Sequence, residues 1–339
     1  MRVMDQMDQK GFTLIELLVG VALASIVSLA AFVIFWSSDK SYKLQEGVGE
    51  SQQNVRVAMD RLARDIRMAG FGLPDPPFSL TIGGQTLTAP IAFTNSAAAP
   101  DTLTVLGIGV TSGTLNQGGN AACNGTSDTA ICLDTVANFF TGAAFLPDRR
   151  YITVGGPRFI ELALAGHDQT NGLLQLGAGN ILDRDYVDGT TVYIIQAIQY
   201  SINTALAGCS VTNPCLTSND LTGFRGAGVQ VLADNIEDVQ FAYGLDGDRN
   251  GRIDDSDANG AYTAADFSNA PLDLSSIIAV RANVVARTRN TDPAGQVAFQ
   301  NPCLEDRSTD AACTGAAVDG FRRRTLTKVI NLRNPRQGA

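Results

Sequence analysis

The sequence predicts an α+β fold: a long N-terminal helix, transmembrane in its first half and amphipathic in its second, packed on an antiparallel β-rich globular head. Three observations carry this. Residues 12–36 form a run of 25 residues with one charge, Glu16. Apolar residues then recur at Leu44, Val48, Val55, Met59, Leu62, Ile66 and Ala69, spacings that put them on one helical face. After Pro74 the composition shifts to Gly, Thr, Ser, Ala and Asn, with short apolar runs between turn residues.

A helix over the apolar run would reach about 38 Å at ~1.5 Å per residue. That exceeds a hydrocarbon core of ~30 Å. A cleaved secretory signal is the alternative, since Ser28, Ala30 and Ala31 are small enough for a peptidase. The length of the run, and a helical pattern that continues past it, favour an anchor. In the second half Asp60 with Arg64, and Arg61 with Asp65, stand four apart and read as pairs on a solvated face. Gly47 and Gly49 each cost about 1 kcal/mol relative to alanine in a helix, so a bend or melted turn is expected there. Gly70, Gly72 and Pro74 end the rod. The predicted organisation is 1–11 as a leader, 12–36 in the membrane, 37–72 under the head and 73–339 as the head.

Within the head, "TLTVLGIGV", "RFIELAL" and "TVYIIQAIQYSI" read as strands, and the Gly- and Asn-rich text near 112–130 as loop. In "SIIAVRANVVART", Ile278, Val280, Ala282, Val284 and Ala286 alternate with Arg281, Asn283 and Arg287, which predicts a strand with one core side and one polar side. No internal repeat is evident at this level. The glycines of "GIGVTSG" read as a turn rather than a phosphate loop, because no helix follows them.

Charge and cysteines bound the function. A net charge of −9 repels nucleic acid at long range. Six cysteines fall into three close couples, Cys123 with Cys132, Cys209 with Cys215 and Cys303 with Cys313. Local disulfides are expected, although sequence leaves 15 connectivities open. Bridges imply an oxidising compartment. With His167 as the sole histidine, in what reads as an exposed loop, neither a zinc site nor a Ser/His/Asp triad is expected, and the chain reads as a non-enzyme. Arg322, Arg323 and Arg324 read as a charged edge strand that resists mispairing.

The sharpest chemical signal is "DGDRNGRIDDSD", residues 246–257. Oxygen ligands at Asp246, Asp248 and Asn250, a glycine at Gly251, the Arg252 carbonyl, Asp254 and a final acid at Asp257 have the spacing of an EF-hand-like calcium loop. A structural calcium ion is the expected cofactor. A solvated turn between two strands is the simpler alternative.

"KGFTLIELLVG" resembles the type III signal of type IV pilins and pseudopilins. The resemblance implies cleavage by a prepilin peptidase after Gly11, methylation of the new N-terminal Phe12, and pairing of Glu16 with the Phe12 amine of a neighbouring subunit. A charge in the membrane costs about 2.5 to 3.5 kcal/mol on insertion scales, which such a partner would offset. An acid snorkelling to the cytoplasmic interface is the simpler reading of Glu16. The leader "MRVMDQMDQKG" departs from the pattern in being electrically neutral.

"SYKLQE", "VRVAMDRLARDIRMAGFG", "NIEDVQFAYGLDGDRNGRID", "IIAVRANVVART" and "LTKVINLRN" further resemble PilW-type minor pilins. This resemblance covers residues 10–72 and about 230–335, leaving 75–230 without one. It implies a type IV pilin-like fold and a subunit of a tip or priming complex. The implied partners are other minor pilins, the major pilin, the prepilin peptidase, the inner-membrane assembly platform and a large tip adhesin. The implied location is the inner membrane of a Gram-negative cell, head in the periplasm, then the pilus surface. A type II secretion pseudopilin, or a pilus-tip adhesin or DNA-uptake receptor, are the rival functions.

Overall fold

The computed structural model describes residues 13–73, 78–118, 129–155, 158–180, 186–224, 228–260, 263–292, 302–309 and 319–333. One helix, α1 (Leu14–Arg67), runs 54 residues without interruption. Its apolar half is exposed throughout, from Leu14 to Trp36. No turn is melted at Gly47 and Gly49. Two weak propensities are outweighed by the intact helical turns on either side.

Helix α1 ends at Arg67, five residues before the expected stop at residue 72, with Met68 as C-cap. Gly70 and Gly72 follow with φ of 81° and 78°. Gly72 is required twice over, because a Cβ there would also stand 2.8 Å from Ile108 Cγ1. The chain is then sewn to the head as Gly70 N donates to Leu106 O at 2.9 Å and Ala69 bridges Gly107. Gly107 permits that approach, since a Cβ would lie 2.6 Å from Met68 O.

The strands follow in chain order. The first ten are β1 (Leu80–Ile82), β2 (Gln85–Leu87), β3 (Ile91–Thr94), β4 (Thr102–Thr114), β5 (Ala130–Cys132), β6 (Phe140–Thr141), β7 (Ala144–Phe145), β8 (Tyr151–Val154), β9 (Arg158–Glu161) and β10 (Leu173–Gln175). The rest are β11 (Thr191–Asn203), β12 (Cys215–Asp220), β13 (Val229–Asp234), β14 (Ile236–Leu245), β15 (Phe267–Ser268), β16 (Ile277–Arg287) and β17 (Arg323–Asn331). A seven-stranded sheet is ordered β13-β12-β11-β4-β3, with β8 on β11 and β9 on β8. A four-stranded sheet is ordered β15-β14-β16-β17, and the strands of both sheets pair antiparallel. "GIGVTSG" lies inside β4 rather than in a turn, because β11 pairs it through two register shifts.

The upper half of α1 buries Val55, Ala58, Met59, Leu62, Ala63 and Ile66 against Val280, Ala282 and Val284 of β16, Phe241 of β14 and Leu103 and Val105 of β4. Alternation in β16 is as expected on that side from Val280 to Ala286, but Ile277 rather than Ile278 joins the core there, where the pairing with β14 shifts register. The polar side is not solvated, however: Asn283 and Arg287 are buried as well. Glu305 lies across it, accepting from Arg281 Nε at 2.8 Å and from Asn283 Nδ2 at 2.5 Å.

A second core, including Leu115, Ile131, Phe139, Ile152, Leu174 and Ile194, contains no residue of α1. Between the two cores, Leu73 packs with Leu106, Ile195 and Ala197. The 115–194 unit is thus built past the end of the helix, on the far halves of β4 and β11.

Candidate functional site

The start of α1 follows from local chemistry. The first helical N–H groups have no partner within the helix. Thr13 supplies one as N-cap: its Oγ1 accepts from Glu16 N at 3.3 Å. Glu16 answers, its Oε2 accepting from Thr13 N and from Thr13 Oγ1, both at 3.0 Å. This is a capping box. The Thr-x-x-Glu spacing was visible in the sequence, yet the reading above gave Glu16 only an intersubunit or a snorkelling role. Gly11 and Phe12 lie outside the described residues. At the other end of the apolar run, Lys40 Nζ sits 3.8 Å from the Trp36 ring centroid, an aromatic-basic pair suited to a membrane surface.

The lower-charge end of the helix contrasts with the region between β14 and β15. Asp246 N is tied to Ser276 O at 2.8 Å and Asp254 N to Leu245 O at 2.7 Å, so the loop leaves and returns at one point. Asp246, Asp248 and Asp254 each bring a carboxylate oxygen within 4.8 Å of the others. Asn250 N donates to Asp246 Oδ1 at 2.9 Å, Gly251 N to Asp246 Oδ2 at 2.9 Å, and Gly247 N to Asp254 Oδ2 at 2.8 Å. Arg252 N donates to Asn250 Oδ1 at 2.8 Å. Several hard oxygens on a tight turn suit a divalent cation of the calcium type.

Asp257 is not in that group. It converges instead with Asp255 and Asp266 in a second acidic set. The reason is a tandem duplication: Asp246-x-Asp248-x-Asn250-Gly251 recurs nine residues later as Asp255-x-Asp257-x-Asn259-Gly260. Its hydrogen bonds recur too, Asn259 N to Asp255 Oδ1 at 3.2 Å and Gly260 N to Asp255 Oδ2 at 2.6 Å. Positive φ recurs at Arg249 and Ala258, and at Gly251 and Gly260. The Gly260 N–H holds the Asp255 carboxyl below its ordinary pKa. A single twelve-residue template hid this repeat, because it assigned Asp257 as the last position of the first loop when it is the third position of the second.

Cys209 and Cys215 form a disulfide closing the turn between β11 and β12, with Cα atoms 5.7 Å apart. Cys132 and Cys303 are also disulfide-bonded, while Cys123 and Cys313 lie outside the described residues.

Residues 199–334 match the family described as Type IV Pilus-assembly protein W, and residues 6–32 match the prokaryotic N-terminal methylation motif. The chain is thus similar to that family over its C-terminal part and to the methylation motif at its N-terminal end. No curated protein matches it in sequence at a significant level. A solved type IV-like pilin from Thermus thermophilus is similar at 11% identity over 86% of this chain and 96% of its own, with a TM-score of 0.32, too low to carry an argument.

The segment matching the W family runs from the end of β11 through β17 and so contains the whole four-stranded sheet and both acidic sets. It begins about thirty residues before the resemblance noted from sequence. The arginine run lies within it, at the start of the edge strand β17 as expected; Arg324 is exposed, while the other two arginines are paired within the head. Arg322 pairs with Asp292 at 2.7 Å, and Arg323 pairs with Glu237 at 2.6 Å and with Asp319. Glu237 also takes Arg287 at 3.4 Å. His167, outside that segment, is not in an exposed loop: it is half-buried against Phe145, ring centroids 4.1 Å apart. Its Nδ1 accepts from Gln175 N at 3.1 Å and its Nε2 lies 2.9 Å from Ala163 O. Burial pushes its pKa below the ordinary value.

Proposed function

We propose that the chain is a minor pilin, a structural subunit of the tip or priming complex from which a type IV pilus grows. The observation that carries this is the division of α1: an apolar half with no partner in its own head, continuous with a half buried in it. Such a helix needs lipid or neighbouring helices for its first 23 residues, Leu14 to Trp36. The match to the methylation motif supports prepilin processing at Gly11 and Phe12, with Glu16 available to a neighbour's amine. The 115–194 unit supports the tip position, because it adds bulk beyond the helix end. The reading places the protein in the inner membrane with a periplasmic head, then on the fibre, with other pilins, the assembly platform and a tip adhesin as partners.

Gene deletion should abolish fibres and twitching and leave exoprotein release intact. Restoring with Glu16→Ala should recover neither fibres nor co-purification of sister subunits. Lost exoprotein release with normal fibres would instead identify a secretion pseudopilin, and normal fibres with lost attachment an adhesin.

A structural calcium ion at Asp246, Asp248, Asn250 and Asp254 completes the reading. It would relieve repulsion among three carboxylates and pin β14 to β15. Titration calorimetry with calcium should give heat that Asp248→Asn diminishes, and chelator should lower the melting temperature; no heat and an unchanged melt would remove the ion from this account.

A further inference from the structure

The four-stranded sheet carries unlike charge on its two edges. β17 forms one edge, with α1 beside it: Lys328 Nζ stands 4.0 Å from Asp60 Oδ1, and Arg333 N donates to Arg67 O at 3.0 Å. Period two puts Arg324 and Lys328 on the side of β17 that sends Leu326 and Ile330 to the core shared with α1. On α1 the residues Arg56, Asp60, Arg64 and Arg67 advance by four and three along one face. Six cations thus share this strip with one acid, in a chain whose net charge is −9. Arg56, Arg64, Arg67, Arg324 and Arg333 are exposed, and none of them makes an ion pair among the described residues. The helix dipole accounts for only part of this. Cations in the last turn suit it, which covers Arg64 and Arg67, but Arg56 lies three turns earlier and Arg324 and Lys328 are on a strand.

The opposite edge is β15, and the connection leading to it is acidic. Residues 246–266 hold six aspartates against two arginines, and Asp248, Asp255 and Asp257 are exposed. A divalent ion in the first acidic set would halve that excess without cancelling it. Both charged features lie toward one end of the sheet. Leu245 pairs with Ile277 and Ala279 with Asn331, so the acidic turns leave the sheet at the end where β17 finishes, the end of Arg333 and Arg67.

We propose that the basic strip of one chain receives the acidic turns of a second copy standing beside it. This rests on the anchor reading above, since helices held in one membrane stand parallel and their heads meet side by side. A two-fold contact through the strip would set like charge on like, whereas a heterologous contact sets the strip against the turns. Lipid headgroups are out of reach. Arg56 is twenty residues above Trp36 on an unbroken helix, about 30 Å, against a Debye length of about 8 Å.

Lys328 makes the contact readable, because it is the sole lysine after Lys43. Full chains, half of them labelled with nitrogen-15, are mixed in an excess of detergent micelles and treated with a carbodiimide, which joins a carboxyl to an amine as an amide while its own urea leaves. Mass spectrometry should find mixed-label peptides linking Lys328 to Asp248, Asp255 or Asp257, in a yield that falls about tenfold between ~0.05 M and ~0.5 M salt. The link from Lys328 to Asp60 within one chain is the control for reactivity. Arg64→Glu with Arg67→Glu should abolish the mixed link, as should Asp255→Arg with Asp257→Arg. Mixing those two variants should restore it, from Lys328 of the second to the aspartates of the first. Because the link is read on purified chain, its failure leaves the deletion phenotype, and the pilin reading with it, standing. No mixed link, a link indifferent to the reversals, or no recovery on mixing would each overturn the proposal. So would capture of Lys328 by another protein's carboxyl in whole membranes in place of the mixed link, which would assign the strip to a different subunit. Retardation of a fluorescent DNA duplex by a chain that shows no mixed link would likewise overturn it and assign the strip to nucleic acid.

Discussion

The two halves of α1 share one backbone and obey opposite rules. From Leu14 to Trp36 every side chain is exposed, so composition alone matters there and no face is privileged by the head. From Ser51 to Ile66 a stripe is wholly buried, Ala58, Leu62 and Ile66 each at 0% exposure, and geometry decides. The lesson is that helix propensity sustains the rod while two different solvents, lipid and a protein core, select its residues.

The largest effect that separates the halves is a cavity. Leu62→Ala should destabilise the head by about 2 to 5 kcal/mol, because the removed methyls leave a void in a close-packed core. Leu23→Ala, the same chemistry in the exposed half, should leave the melting temperature of the head unmoved. Thermal denaturation of the two variants in the same detergent makes the measurement, and equal losses would break the distinction between halves.

The acids come next. Asp65 is buried on the head side, taking the Tyr200 hydroxyl and lying 3.4 Å from Arg61 Nε. Tyr200→Phe withdraws a donor from a buried carboxylate and should cost about 1 to 3 kcal/mol by denaturant melt. Glu16 is exposed and bonded only within its own turn. Thr13→Ala should therefore fray residues 14–17 by about 1 kcal/mol, seen as faster amide exchange there, with no change in the head.

These acids also mark how far the sequence could be read. The rod, its buried stripe and the alternation of β16 were legible because each repeats a short period over many residues. Asp65 was read as solvated because a charge pair four residues apart looks the same on either face; burial came from Tyr200, 135 residues away. Cover for the polar side of β16 was hidden for the same reason, since Glu305 arrives from 22 residues beyond Asn283. The acidic connection was legible as chemistry and misdivided as geometry, with Asp257 given to the wrong turn. Asp101, buried just before β4 with its N–H donating to Val239 O of β14, had no local signal at all, for a buried acid at a sheet seam is defined only by what closes around it.

The smallest effect is the most delicate test of the comparison, because it uses glycines that the helix tolerates without needing. Gly49 has open space where a Cβ would stand, and its φ is helical. Gly49→Ala should stabilise the protein by about 0.5 to 1 kcal/mol, chiefly by restricting the unfolded chain. Gly47, two residues away, faces Thr288 Cγ2 at 3.6 Å, an ordinary contact, so its alanine variant should gain a similar amount. Gly20 also has open space around it, yet it lies in the exposed half, where the helix start is not coupled to the head by any buried side chain. Gly20→Ala should then raise local helix protection without shifting the melt of the head. A melt that rose equally for Gly20→Ala and Gly49→Ala would mean that the two halves unfold as one cooperative unit, and that the lipid-facing segment is mechanically part of the head.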